Sequence, residues 1–189
     1  MSNIRLARDA DTSPHVLEQL AAHDFSSVRK AVASNPSTPA AALTALAVDD
    51  NRTVRRAAAW NPITPMAALT ILSTDTDQVV RVRVARIRNL PPAALKTLAG
   101  DDSWQVRVRV ARNPSTPVAV LETLSADEYW YVRMAVAKQP NTPSHVLEKL
   151  ADDTYRDVRI AALTALTQHT RQPIGNFQLL REHRWPWLS

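Results

Sequence analysis

The stretch Thr38–Pro62 reads TPAAALTALAVDDNRTVRRAAAWNP, and its Val54-Arg55 pair decides the reading of the whole chain. The same dipeptide stands at Val28-Arg29, Val80-Arg81, Val106-Arg107, Val132-Arg133 and Val158-Arg159, at a constant step of 26 residues. A fixed period of this length marks a repeat architecture, in which small helical units stack because none can bury its apolar face alone. Other columns keep the register. Leu43 repeats as Leu17, Leu69, Leu95, Leu121 and Leu147, and Leu46 as Leu20, Leu72, Leu98, Leu124 and Leu150. Ala59 repeats as Ala33, Ala85, Ala111 and Ala137, with Leu163 closing the series. Thr-Pro recurs at Thr38-Pro39, Thr64-Pro65, Thr116-Pro117 and Thr142-Pro143. Asn-Pro recurs at Asn35-Pro36, Asn61-Pro62 and Asn113-Pro114, with Gln139-Pro140 in the same place.

These columns prescribe two short helices per unit. Thr38 is placed to cap the first helix through its hydroxyl, with Pro39 at the first helical position. Leu43 and Leu46, three apart, share that helix's apolar face. The acidic pair Asp49-Asp50 recurs as Asp75, Asp101-Asp102, Asp127-Glu128 and Asp152-Asp153. It is expected at the start of the second helix, where the macrodipole favours negative charge. Val54, Ala58 and Ala59, like Val28, Val32 and Ala33, give the second helix a narrow apolar stripe. Asn-Pro ends it, because the residue before proline is pushed out of the α region. Helices this short leave room for 3-10 turns.

The outcome is an all-α solenoid of about six 26-residue two-helix repeats over residues 1–170, with a cap or tail over 171–189. The ends depart from the pattern as capping units should. Thr12 keeps its column while proline comes one residue late, at Pro14, and Asp157–Thr170 reads as one uninterrupted helix. Beyond it, Phe177, Leu179, Leu180, Trp185, Trp187 and Leu188 are apolar enough to cover the last stripe. In the third unit, Ile87-Arg88-Asn89-Leu90-Pro91-Pro92 loses both Asn-Pro and the threonine, and a local change of curvature is expected there.

Composition narrows the function. The 189 residues contain no cysteine, which excludes disulfides, thiolate metal sites, iron–sulfur clusters and cysteine nucleophiles. Gly100 and Gly175 are the only glycines, and loops that cradle phosphates need more. His15, His23, His145, His169 and His183 form no metal-ligand spacing, and no Gly-x-Ser-x-Gly is present. No enzyme, cofactor or catalytic residue is expected. MSNIRLARDADTS lacks the apolar segment of a secretory signal, and no apolar run approaches the roughly 18 residues of a spanning helix. A cytoplasmic protein without membrane contact is the expectation.

The motif Thr-Pro-x-x-x-Leu-x-x-Leu-Ala-x-Asp-Asp-x-x-x-Val-Arg-x-x-x-Ala-x-Asn-Pro resembles the leucine-rich-repeat variant family over about 160 residues. That resemblance implies a right-handed superhelix alternating α and 3-10 helices. The iron–sulfur cluster that some members carry does not transfer to a chain without cysteine. Asp-x-x-Val-Arg is also similar to HEAT repeats, which bind proteins or nucleic acids.

Constant columns build the scaffold, so function is sought where columns vary. One column of the second helices reads Ser34, Trp60, Arg86, Arg112, Lys138, Thr164, and its neighbour reads Ala31, Ala57, Arg83, Arg109, Ala135, Ala161. Stacked, Arg83, Arg86, Arg109, Arg112 and Lys138 form a basic patch with Trp60 at one side. Met134 lies in a third column that turns from charged to apolar, and Trp104, Tyr129, Trp130, Tyr131 and Tyr155 lie near the helix starts. Candidate partner-binding residues are therefore Trp60, Arg83, Arg86, Arg109, Arg112, Lys138, Trp104, Trp130, Tyr131 and Met134. The bland reading of the patch is a solvated face that balances the acidic turns. The arginine of each Val-Arg pair is expected to be structural, bonding those turns or neighbouring carbonyls. The net charge of +5 suits an acidic protein partner bound by an adaptor or immunity-type module. The alternative is a HEAT-like repeat holding nucleic acid in a basic groove, a weaker fit because acidic turns interrupt the field.

Overall fold

The computed structural model describes residues 2–171. Within them the chain forms thirteen helices and no strand: α1 (Asn3–Arg8), α2 (Pro14–Ala21), α3 (Ser26–Ser34), α4 (Ala40–Leu46), α5 (Arg52–Trp60), α6 (Met66–Leu72), α7 (Gln78–Val84), α8 (Pro92–Ala99), α9 (Trp104–Ala111), α10 (Val118–Leu124), α11 (Trp130–Ala137), α12 (Ser144–Ala151) and α13 (Arg156–Arg171). Even-numbered helices are the first of each unit and odd-numbered ones the second. By register, α1 is the second helix of a half unit at the front. Each odd helix packs on the next, from α1 through to α13. The two leucine columns, the valine of each Val-Arg pair and the alanines Ala33, Ala59, Ala85, Ala111 and Ala137 are all buried. Alanine at the closest approach lets successive units stack tightly. Both helices of every unit are α over these ranges, so the 3-10 alternation implied by the resemblance does not extend to them. Leucine and alanine, strong α formers, dominate the first series. Three-residue bonds occur at the ends instead, as from the Asn35 N–H to the Val32 carbonyl at 2.9 Å.

Polar ladders run along the stack, and the first is arginine to aspartate. Arg29 donates from Nε and Nη2 to the two carboxylate oxygens of Asp49, at 2.6 and 3.0 Å. Its Nη1 donates to the carbonyls of His23 and Asp24. Arg55–Asp75, Arg81–Asp101, Arg107–Asp127 and Arg133–Asp153 repeat the arrangement. Each fork-to-carboxylate pair joins one unit to the next, and the shared geometry makes it a strong, directional contact. This corrects the macrodipole reading of the acids. No acidic residue lies in the first turns of α3, α5, α7, α9 or α11. Asp49 precedes its helix, holding Arg29 and accepting from the Asn51 N–H at 2.8 Å.

The second ladder is amide to carbonyl. Asn61 donates to the Ala33 and Asn35 carbonyls of the preceding unit, at 2.9 and 2.8 Å, and Asn35 and Asn113 do the same one unit away. Threonine forms a third series, and here too the first expectation needs correction. Thr38 does not cap the following helix. Its buried hydroxyl donates back to the Val32 carbonyl at 2.6 Å, and the N-cap position falls to Pro39. Thr64, Thr116 and Thr142 each repeat this bond to the residue six before. The threonine thus satisfies an orphan carbonyl at the end of the previous helix.

The asparagine and threonine series are interrupted in the third unit, while the Arg81–Asp101 rung is kept. Leu90 is buried where a threonine would stand, and Ile87 replaces the asparagine. Asn89 turns the chain with φ 62°, a conformation that asparagine tolerates better than most residues.

Candidate functional site

The candidate site is built on the face of the odd helices that the scaffold columns leave free. Trp60, at the end of α5, is 54% exposed. The Arg83 guanidinium from α7 lies 4.4 Å from its ring centroid. Arg83 also donates from Nε to the Ala59 carbonyl at 3.2 Å. That carbonyl occupies the place in the stack that an asparagine at position 87 would reach, so Arg83 compensates for Ile87. Burial lowers the Arg83 pKa, with repulsion from Arg86 adding to it. Arg83 is therefore partly committed to the scaffold, while Arg86 beside it is exposed.

One unit further on, Arg112 extends Nη2 to the Tyr131 hydroxyl at 3.3 Å, with its guanidinium 5.4 Å from that ring. The Tyr131 phenol is held below its ordinary value, first by the Arg112 bond and charge, then by Lys138 and Arg109. The stack thus brings Arg109, Arg112 and Lys138 around one tyrosine, and Trp60, Arg83 and Arg86 into a second group. Among the described residues, no carboxylate pairs with Arg86, Arg109, Arg112 or Lys138.

The aromatic candidates form a continuous row. Tyr129 stacks on Trp104 at 5.8 Å and Trp130 on Tyr155 at 5.7 Å, while Tyr131 stands edge-on to both tryptophans. Such offset and edge-on contacts fix the rings in place. Trp104, Trp130 and Tyr131 are half-buried, whereas Tyr129 and Tyr155 are more open. Met134 is only 8% exposed, so it belongs to the floor of the face and offers little contact.

A shallow groove of about 540 Å³ between α11 and α13 escaped the sequence reading. Met134, Lys138, Ile160, Thr164 and His169 line it. Its signal was Ala165, which stands in the asparagine column and cannot reach back to fill the space. Among the described residues, no group of three histidine or acidic side chains could hold a metal ion, and no helix is long and apolar enough to cross a membrane.

Two-helix units stacked in register, with their free faces aligned, define a helical repeat protein. The leucine rich repeat variant family model matches residues 27–51 and 104–128, two segments of the same period. The chain is a helical repeat protein, and two of its units are similar to that family. A solved structure described as a leucine-rich repeat variant with a novel repetitive structural motif is similar at 24% identity, covering 87% of this chain and 86% of the other, with a TM-score of 0.48. An engineered protein solved by structural genomics is similar at 20% identity, over 90% of this chain and 97% of its own, with a TM-score of 0.46. No curated protein matches the sequence.

Proposed function

We propose that this solenoid is a non-enzymatic binding module of the cytoplasm, an adaptor or immunity-type protein that takes an acidic protein partner on the free face of its odd helices. One observation carries the reading: Arg86, Arg109, Arg112 and Lys138 share that face with no carboxylate among the described residues to neutralise them. Arg29, Arg55, Arg81, Arg107 and Arg133 of the ladder, by contrast, are each paired with an aspartate. Exposed Trp60 and the aromatic row add the residue types that dominate interface energetics. Positive charge without local compensation steers an acidic partner and aligns it.

Affinity purification from the native host, with wild type and Arg86→Glu/Arg112→Glu as baits, tests the proposal. An acidic protein retained only by the wild type is the expected result. Titration with duplex and single-stranded DNA across salt runs in parallel. Micromolar, salt-dependent DNA binding that the double variant loses would replace the proposal with the nucleic-acid reading.

A further inference from the structure

The arginine ladder has an unfinished last rung. Arg159 makes the inner half of the arrangement, donating from Nη1 to the Asp153 and Thr154 carbonyls at 2.8 and 2.9 Å. In five earlier units those two bonds hold the guanidinium so that Nε and Nη2 grip a carboxylate twenty residues ahead. Twenty residues ahead of Arg159 stands Leu179, which has no carboxylate to offer. The Nε and Nη2 edge of Arg159 has no partner among the described residues. Its orientation is nevertheless fixed, so most of the ordering cost of binding a carboxylate is already met.

Apolar side chains flank this edge on the same exposed side of α13. Ile160 is 49% exposed and Leu163 is 50% exposed. Their columns face the following unit elsewhere in the stack. Arg56, in the Ile160 column, pairs with Asp77 of the next unit, and the five alanines in the Leu163 column are buried. The last layer therefore presents an apolar stripe with an oriented cation beside it. A head-to-tail second copy does not match it, because the first residue of its aspartate column, His23, is no carboxylate and is already bonded to Asn3 of its own chain at 2.9 Å.

We propose that residues 172–189 of the same chain cover this end, with Glu182 supplying the carboxylate to Arg159. Glu182 is the only acidic side chain in that segment. Ile174, Phe177, Leu179, Leu180, Trp185, Trp187 and Leu188 give it apolar groups for the stripe. The tether is long enough. Arg159 lies about 18 Å back along α13 from Arg171, at ~1.5 Å per residue. The eleven residues 172–182 span about 16 Å as a helix and roughly 36 Å extended. The claim is separate from the proposed partner face, whose cations Arg86, Arg109, Arg112 and Lys138 lie on other columns.

Because the chain has no cysteine, two readouts are clean. The first is a double-mutant cycle in the full chain. Glu182→Gln and Arg159→Gln should each lower the thermal midpoint, by roughly 2–4 °C, and the pair together should fall no further than the worse single variant. The second introduces Leu163→Cys together with either Leu179→Cys or Leu180→Cys under mild oxidation. One of the two pairs should close an intramolecular disulfide. A wild-type midpoint for Glu182→Gln overturns the rung. Disulfides that form only between molecules, or not at all, overturn the covering segment. Neither readout depends on partner capture, so failure here leaves the function proposal standing.

Discussion

Arginine does two opposite jobs in this chain, and the column in which it sits decides which. Arg107 and Asp127 are both largely buried and bonded fork to carboxylate, with further bonds from Arg107 to the Asp101 and Asp102 carbonyls. Arg107→Leu strands the aspartate, at an expected cost of about 3 kcal/mol in urea unfolding. Exposed Arg88→Ala should change stability by less than about 0.5 kcal/mol. Arg83→Ala, which removes the donor to Ala59 and the Trp60 contact, should cost about 1–2 kcal/mol. The carboxylates also fix the acid limit. Burial opposes the charge on Asp49 and Asp77, but the bonds from Arg29 and Arg56 and from the following N–H groups prevail and hold both below the ordinary 3.8. For Asp153 the Arg133 bond is the leading cause of the same depression. Groups with lowered folded values contribute stability that is fully present above their unfolded value and is lost as pH falls through the folded one. The midpoint should therefore hold from neutrality down to about pH 4–5 and drop below it. A titration by circular dichroism checks this, and a loss of structure between pH 7 and 5 would contradict it.

At the scale of the element, the spacing of apolar residues was legible because stacking demands equal intervals. Leucine, valine and alanine columns mark every helix pair and the buried stripe in the sequence itself. Ala85, fully buried against its neighbours, should not accept a large side chain. Ala85→Trp should cost about 3 kcal/mol or more and broaden the unfolding transition. Capping chemistry was less legible. A threonine before proline can serve the helix ahead or the one behind, and only the fold shows that Thr116 reaches the Val110 carbonyl at 2.6 Å. Thr116→Val, nearly isosteric, should cost about 1–2 kcal/mol by stranding that acceptor. The acids were misplaced for a related reason: their partners lie twenty residues away, beyond any local rule. Ile87 was visible as a defect in its column, but its remedy by Arg83 was not, because that bond joins side chain to backbone across two units.

For the whole molecule, rungs that cross every unit boundary couple the layers, while the side chains that vary between layers collect on one face. The alignment of Arg86, Arg109, Arg112 and Lys138 was legible as soon as the period was known. Their freedom from carboxylates was not, because the acidic turns are equally regular in sequence, and only the geometry shows them occupied by the ladder. Constant cations hold the stack, and the proposed function assigns the variable ones to partner binding. The most direct measurement is the association rate of the captured partner against ionic strength, for the wild type and for Arg86→Glu/Arg112→Glu, with urea midpoints taken on the same samples. The account predicts equal midpoints, a rate that falls steeply with salt for the wild type, and a slower, nearly salt-independent rate for the variant. Equal midpoints with the same rate and salt dependence in both proteins would contradict it.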